Sequence, residues 1–270
     1  MSDYLKHLRP IALGGLAAGL LGLGACHPDQ PAATAPPTSP PATTKPAVPR
    51  VAAGPIDTLH LPGGQVVQLR PSTADAFHKL PFSGLPDLPN DSTSEHLPAD
   101  QGGVTRQGLA LRLRPAQGPE VRLASTPDAQ FTLENAAAVR YRYWGSLPAA
   151  HQWAVRAWAW ESDGTVLVDQ RTGRHLAELP GDPVAAPDGR LVLLTSPGLG
   201  GGDQANMLSL VQVEATGARL LWQLEPTTWE PVEARWAAPC RVVLKRRHAL
   251  PDGSMADDAR VTYDELTLPR

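Results

Sequence analysis

"AAPDGRLVL" spans Ala185–Leu193 and "AAPCRVVL" spans Ala237–Leu244. With one residue removed at the turn, the second stretch is a worn copy of the first. Each carries a tight turn that leads into an aliphatic run. Asp-Gly between apolar runs is a strong hairpin signal, because glycine tolerates the positive φ such turns require. The recurrence implies a repeated β-unit.

The flanking sequence supplies the rest of that unit. "VLVDQRTGRHLAEL" (Val166–Leu179) aligns with "LVQVEATGARLLWQL" (Leu210–Leu224), with the turn glycines Gly173 and Gly217 lying 44 residues apart. "RLRPAQGPEVRL" (Arg112–Leu123) is a looser copy, its Gly118 standing 55 residues before Gly173. "LHLPGGQVVQL" (Leu59–Leu69) is another, with Gly63 a further 55 residues back. "VTYDELTL" (Val261–Leu268) provides the leading strand of one more. The unit is strand, turn, strand, loop, hairpin.

Alternation within strands agrees. Val139, Tyr141 and Tyr143 fall on one face of "VRYRYW" and the arginines on the other. "RLLWQLE" (Arg219–Glu225) puts Leu220, Trp222 and Leu224 on one face, and "LALRLR" (Leu109–Arg114) alternates likewise. The one stretch of helical composition, "TLENAAA" (Thr132–Ala138), is too short for a firm element.

Antiparallel units of this length are the mark of propeller blades. "APDGRLVLL" resembles the Ser-Pro-Asp-Gly-Arg repeat of TolB-type β-propellers, with Ala186 in place of serine and Leu194 in place of the usual aromatic. The copy at Cys240 has lost Asp-Gly. The resemblance covers roughly Val139–Leu268. It implies an all-β domain of blade-like repeats, propeller-like and allowing an incomplete ring. An open meander or a β-sandwich uses the same strands.

The N-terminus reads differently. Lys6 and Arg9 form a basic head before the apolar run Ile11–Leu23, which has 13 residues. That is too short to span a hydrocarbon core of about 30 Å, so residues 1–25 read as a secretory signal. "LGAC" (Leu23–Cys26) resembles the lipobox of bacterial lipoproteins. That resemblance implies cleavage between Ala25 and Cys26, acyl chains such as palmitate on Cys26, and membrane anchorage outside the cytoplasm. Aspartate at the second mature position commonly marks inner-membrane retention. His27 stands there, which points to the outer membrane, facing the periplasm or the surface.

Residues 26–55 form a Pro/Ala/Thr-rich tether, with nine prolines among the 29 residues His27–Pro55. Such a chain cannot bury enough apolar surface to order itself and serves as a standoff from the lipid. The β-repeat domain follows at 56–270, interrupted by an irregular loop at 71–103.

Composition excludes several functions. Without the signal the chain holds 22 basic and 26 acidic residues, and no Lys/Arg block argues for nucleic acid. Cys240 is the only other cysteine, so no disulfide framework is available once Cys26 is acylated. There is no G-x-S-x-G motif, and Ser196 is followed by proline. The eight histidines show no metal spacing. "GLGGGDQAN" (Gly198–Asn206) lacks the third glycine and helix of a dinucleotide loop, so no cofactor is expected. The acidic "DGSMADD" (Asp252–Asp258) fits a solvated turn rather than a calcium loop.

The surplus is tryptophan, seven against three phenylalanines. Trp158 and Trp160 share a face of one strand with Trp153 opposite, and Trp229 and Trp236 lie further on. Tryptophan fills cores between blades, or forms an exposed platform for a glycan or protein partner. The sequence therefore favours a lipid-anchored, non-catalytic binding or scaffolding domain. The alternative is an envelope hydrolase acting on glycan or peptide through two converging carboxylates. An accessory subunit completed by a partner or a second copy is the third reading.

Overall fold

Both copies of the Ala-Ala-Pro turn close antiparallel hairpins in the computed structural model, which describes residues 57–88, 95, 97, 103–160, 162–201, 204–256 and 258–268. These belong to the unit Val51–Arg270. The signal, Ala25, Cys26 and the tether lie outside the described residues.

An N-terminal hairpin, β1 (Asp57–His60) and β2 (Val66–Pro71), leads into a short helix, α1 (Ala74–His78). The first sheet is β3 (Val104–Gln107), β4 (Ala110–Leu113) and β5 (Val121–Ala124). The second is β6 (Arg140–Leu147), β7 (Gln152–Trp158) and β8 (Asp163–Asp169), extended by bridges from Val168 to His175 and from Thr165 to Leu179. The third is β9 (Asp182–Ala185), β10 (Leu191–Ser196), β11 (Met207–Glu214) and β12 (Gly217–Leu224). The last sheet contains β13 (Trp229–Ala238), β14 (Arg241–His248) and β15 (Val261–Thr267). Here the N-terminal hairpin joins it, β2 pairing with β15 through Asp264 opposite Pro71 and Glu265 opposite Arg70. The two ends of the domain thus share one antiparallel sheet.

Each aligned hairpin is present. Gly63 and Gly64 turn β1 into β2, Gly118 lies between β4 and β5, Gly173 follows β8, and Gly217 opens β12. The Ala-Ala-Pro stretches connect β9 to β10 and β13 to β14.

Three cores join the four sheets in chain order. In β7 and β8, Trp153, Val155, Ala157, Val166 and Val168 pack on the first sheet, while Ala154 and Leu167 pack on the third. In β10, Val192 and Leu194 face the second sheet, and Leu191 and Leu193 join Trp236, Val242 and Leu244 of the last. These strands read as continuous apolar runs because both of their faces are covered. The alternation is real but separates two cores rather than core from water.

The end sheets differ. The outward face of the first sheet is polar, with Thr105, Gln107 and Arg122 exposed. Arg112 lies there too and donates to Glu120 and Gln107. The outward face of the last is capped by α1, whose Phe77 is fully buried, 5.2 Å from the Tyr263 ring and 4.7 Å from the Arg235 guanidinium. Among the described residues, no apolar core joins the first sheet to the last. The architecture is all-β and antiparallel, four sheets stacked through three cores.

Two local expectations change. The 71–103 segment contains α1, because Thr73 caps it by accepting from Ala76 N–H (3.1 Å) and Phe77 gains a buried site. "TLENAAA" forms no helix, in keeping with its shortness; its turns are closed by Asn135 N–H to Thr132 and Ala138 N–H to Asn135. In β12 the register slips opposite Leu210 and Val211, so Leu221 is an extra residue. Trp222 and Leu224 still reach the core, but Leu220 turns to solvent, as a bulge requires.

One buried acid staples the β8 turn. Asp169, with no exposure, accepts Arg171 N–H (3.0 Å), Thr172 N–H (2.9 Å), Gln152 Nε2 (3.1 Å) and Arg171 Nη2 (2.6 Å). Burial pushes its pKa up, but the bonds from the Arg171 side chain and from the Thr172 and Arg171 amides outweigh burial and hold it below the ordinary 3.8. A depressed folded pKa gives stability that is present above the unfolded value and lost as pH falls through the folded one. Asp169→Asn should cost about 2 kcal/mol at pH 7. The gap from wild type should narrow below pH of about 4. Urea midpoints measured across pH test this, and a gap constant down to pH of about 2 contradicts it.

Candidate functional site

The second sheet ends at β6, an edge strand whose outward backbone groups need partners. Side chains supply them. Tyr141 N–H donates to Ser125 Oγ (2.9 Å), and Tyr143 N–H donates to Glu95 Oε1 (2.7 Å). Tyr141 C=O accepts Arg106 Nη2 (2.7 Å). Glu95 and Arg106 are themselves paired in fork geometry, Nη2 to Oε1 at 2.7 Å. The carboxylate receives and the guanidinium gives, so the ion pair stands where a neighbouring strand would. The segment before it covers more edge: Trp144 Nε1 donates to Pro86 C=O (2.7 Å), and Ala185 N–H of β9 donates to Ser83 C=O (3.4 Å).

Beside this strap a cavity of about 530 Å³ opens between the first and second sheets. Gly108 and Leu109 of the β3–β4 turn, Ser125 and Thr126 after β5, and Leu88 form its walls. The far side is aromatic and cationic. The Arg140 guanidinium lies 4.1 Å from the Phe131 ring centre, and Arg142 stands 5.7 Å over Trp158. Trp160 tilts against Phe131 with centres 5.8 Å apart. Among the described residues the lining brings together three arginines, 106, 140 and 142, and two carboxylates, Glu95 and Asp128. Burial first, and the Glu178 carboxylate second, push the Tyr141 phenol up, so it remains a proton donor at neutral pH.

The tryptophans divide. Trp153, Trp229 and Trp236 are core residues, Trp229 under the Arg246 guanidinium at 5.0 Å and Trp236 donating through Nε1 to Val184 C=O at 3.1 Å. Trp158 is half-buried in the cavity wall, opposite Arg140 in the β6–β7 register. Trp160 lies beyond the end of β7, 51% exposed, against the Phe131 ring that lines the cavity. Of the five, Trp158 alone lines the cavity and Trp160 borders it through Phe131.

The remaining candidates are occupied structurally. Ser196 donates to Ala205 C=O (2.6 Å) and accepts from Gln204. Bonds from Ser254 Oγ and N–H hold the Asp252 carboxyl below its usual range, as in a solvated turn. Cys240 sits half-buried at the β13–β14 turn. Among the described residues no group of His, Cys, Asp or Glu could hold a metal, and no helix is long and apolar enough to cross a membrane.

Sequence reading missed Glu95, Arg106, Phe131 and Arg140. The available signal was the pairing of "VRYRYW" with "AVRAWAW", which sets Arg140 against Trp158. Compared with protein-family models, curated proteins and solved structures, the chain matches none.

Proposed function

We propose that this chain is a lipid-anchored cell-envelope protein whose β domain is a non-catalytic binding module, with the cavity beside β6 as its ligand site. The anchor rests on the lipobox at Leu23–Cys26 and the proline-rich tether behind it. The domain is read as an arc of four propeller-like blades. The union of β2 with β15 supports that reading, since circular repeats commonly join their ends this way.

The observation that carries the binding role is the cavity: concave, largely apolar and aromatic, with a few convergent charges. Among the described residues its carboxylates are Glu95, spent on Arg106 and the Tyr143 amide, and Asp128, exposed to solvent and paired with Arg140. That favours binding over hydrolysis, which needs one carboxyl free to give a proton and another to attack or activate water.

The hydrolase reading has one observation in its favour. Burial first, then Asp163, push the Glu178 carboxyl up towards a general acid's range. Asp163 is nevertheless paired with Arg156 at 3.1 Å, and neither acid lines the cavity.

The test begins with acyl labelling in a bacterial host. Wild type should take up label and fractionate with membrane, whereas Cys26→Ala should remain an unlabelled precursor or be cut elsewhere. Label persisting on Cys26→Ala removes the anchor.

A further inference from the structure

Arg140 is held more loosely than Arg106. Among the described residues its one ion pair, Nη2 to Asp128 Oδ1 at 2.8 Å, is with a side chain that is 90% exposed. Pairs of that kind contribute little and exchange readily with other anions. Among the described residues its Nε is buried without a hydrogen-bond partner. Arg106, by contrast, is spent on Glu95 and on Tyr141 C=O.

One face of the same guanidinium lies on Phe131, and Phe131 also carries Trp160, giving a row of cation, ring and ring that runs outward from the cavity lining. A half-exposed indole there offers a flat apolar face edged by a polar N–H. A guanidinium whose anion is easily displaced selects another carboxylate in its place. The exposed indole beside it selects a ring with an apolar face.

Resting on the reading of the cavity as a ligand site, we propose that it takes an acidic saccharide, with a sugar ring laid on Trp160 and the sugar carboxylate taking the place of Asp128 on Arg140. Charge complementarity favours this over a neutral glycan, because the anion that Arg140 holds in its place, Asp128, is 90% exposed and readily exchanged for another carboxylate.

The experiment is calorimetric titration of the full chain in detergent with tetragalacturonate, with maltotetraose as neutral control and naphthylacetate as an anion without a sugar. Tetragalacturonate should bind at least tenfold more tightly than maltotetraose. Arg140→Gln and Trp160→Ala should each weaken it about tenfold with unchanged circular dichroism. Asp128→Asn should tighten it severalfold, a gain that misfolding cannot produce. Equal binding of both saccharides, with Arg140→Gln silent, overturns the acidic specificity and leaves the ligand site standing. Naphthylacetate binding without either saccharide overturns the saccharide class alone. If none of the three binds, both the inference and the cavity reading fall.

Discussion

Gly189→Ala is expected to destabilise the domain by more than about 3 kcal/mol, close to the whole margin of many domains. Two costs combine. Gly189 has φ of +69°, which is unfavourable for any residue with a Cβ by about 1 kcal/mol or more. That Cβ would also overlap the carbonyl of Ala149, in the turn between β6 and β7. The obstacle is backbone, and it cannot retreat because Ala150 beside it is fully buried. The turn's own bonds, Gly189 N–H to Ala186 C=O (2.9 Å) and Ala186 N–H to Leu191 C=O (2.8 Å), keep the glycine in place. Gly63→Ala is the control. Its φ is +88° with nothing within 4 Å of the added Cβ, so it should cost only about 1 kcal/mol. Urea unfolding of the two variants separates conformational from steric cost. Equal losses would mean that the second and third sheets do not meet at this turn.

Trp236→Ala is expected to cost about 3–5 kcal/mol, the usual range for emptying a large aromatic site in a core. Trp236 is 2% exposed and lies between β10 of the third sheet and β14 of the last. Its Nε1 also satisfies Val184 C=O on the edge strand β9 at 3.1 Å. Trp236→Phe keeps most of the volume and loses that bond, so about 1–2 kcal/mol is expected. Trp160→Ala, at a site 51% exposed, should stay within about 0.5 kcal/mol. Denaturant midpoints rank the three. A Trp236→Ala loss no larger than that of Trp160→Ala would remove Trp236 from the core joining the last two sheets.

These expectations show which levels of structure were legible. The hairpins were, because each turn carries its own conformational requirement: Gly118, Gly173 and Gly217 all adopt positive φ where the repeat placed them. The faces of β6 were legible for the same local reason, Tyr141 and Tyr143 turning towards the first sheet. Alternation failed at Leu220 because a bulge depends on the partner strand, and nothing near Leu221 announces the extra residue. Helix α1 was hidden because a five-residue helix has no period to detect, and Phe77 is stabilised by Tyr263 from the far end of the chain.

The cavity was the least legible part. Glu95 and Arg106 come from a stretch with no pattern, and their role is to complete the backbone bonding of β6. Arg140 and Trp158 face each other through strand register, while Phe131 and Trp160 meet across a turn. Spacing along the chain encodes none of these pairings.

By itself the sequence determined the antiparallel class, the hairpins turning at Gly63, Gly118, Gly173 and Gly217, and the expectation of a signal, a lipid-bearing Cys26 and a tether. All of these depend on residues within about a dozen positions of one another, where φ preference, alternation and composition act directly. Tertiary structure alone decided that β2 closes on β15, that Trp153, Trp229 and Trp236 are core while Trp160 is surface, and that Arg140 stands loosely paired beside an open ring. Those outcomes turn on which faces remain to be covered once the sheets stack, a competition among surfaces distant in sequence.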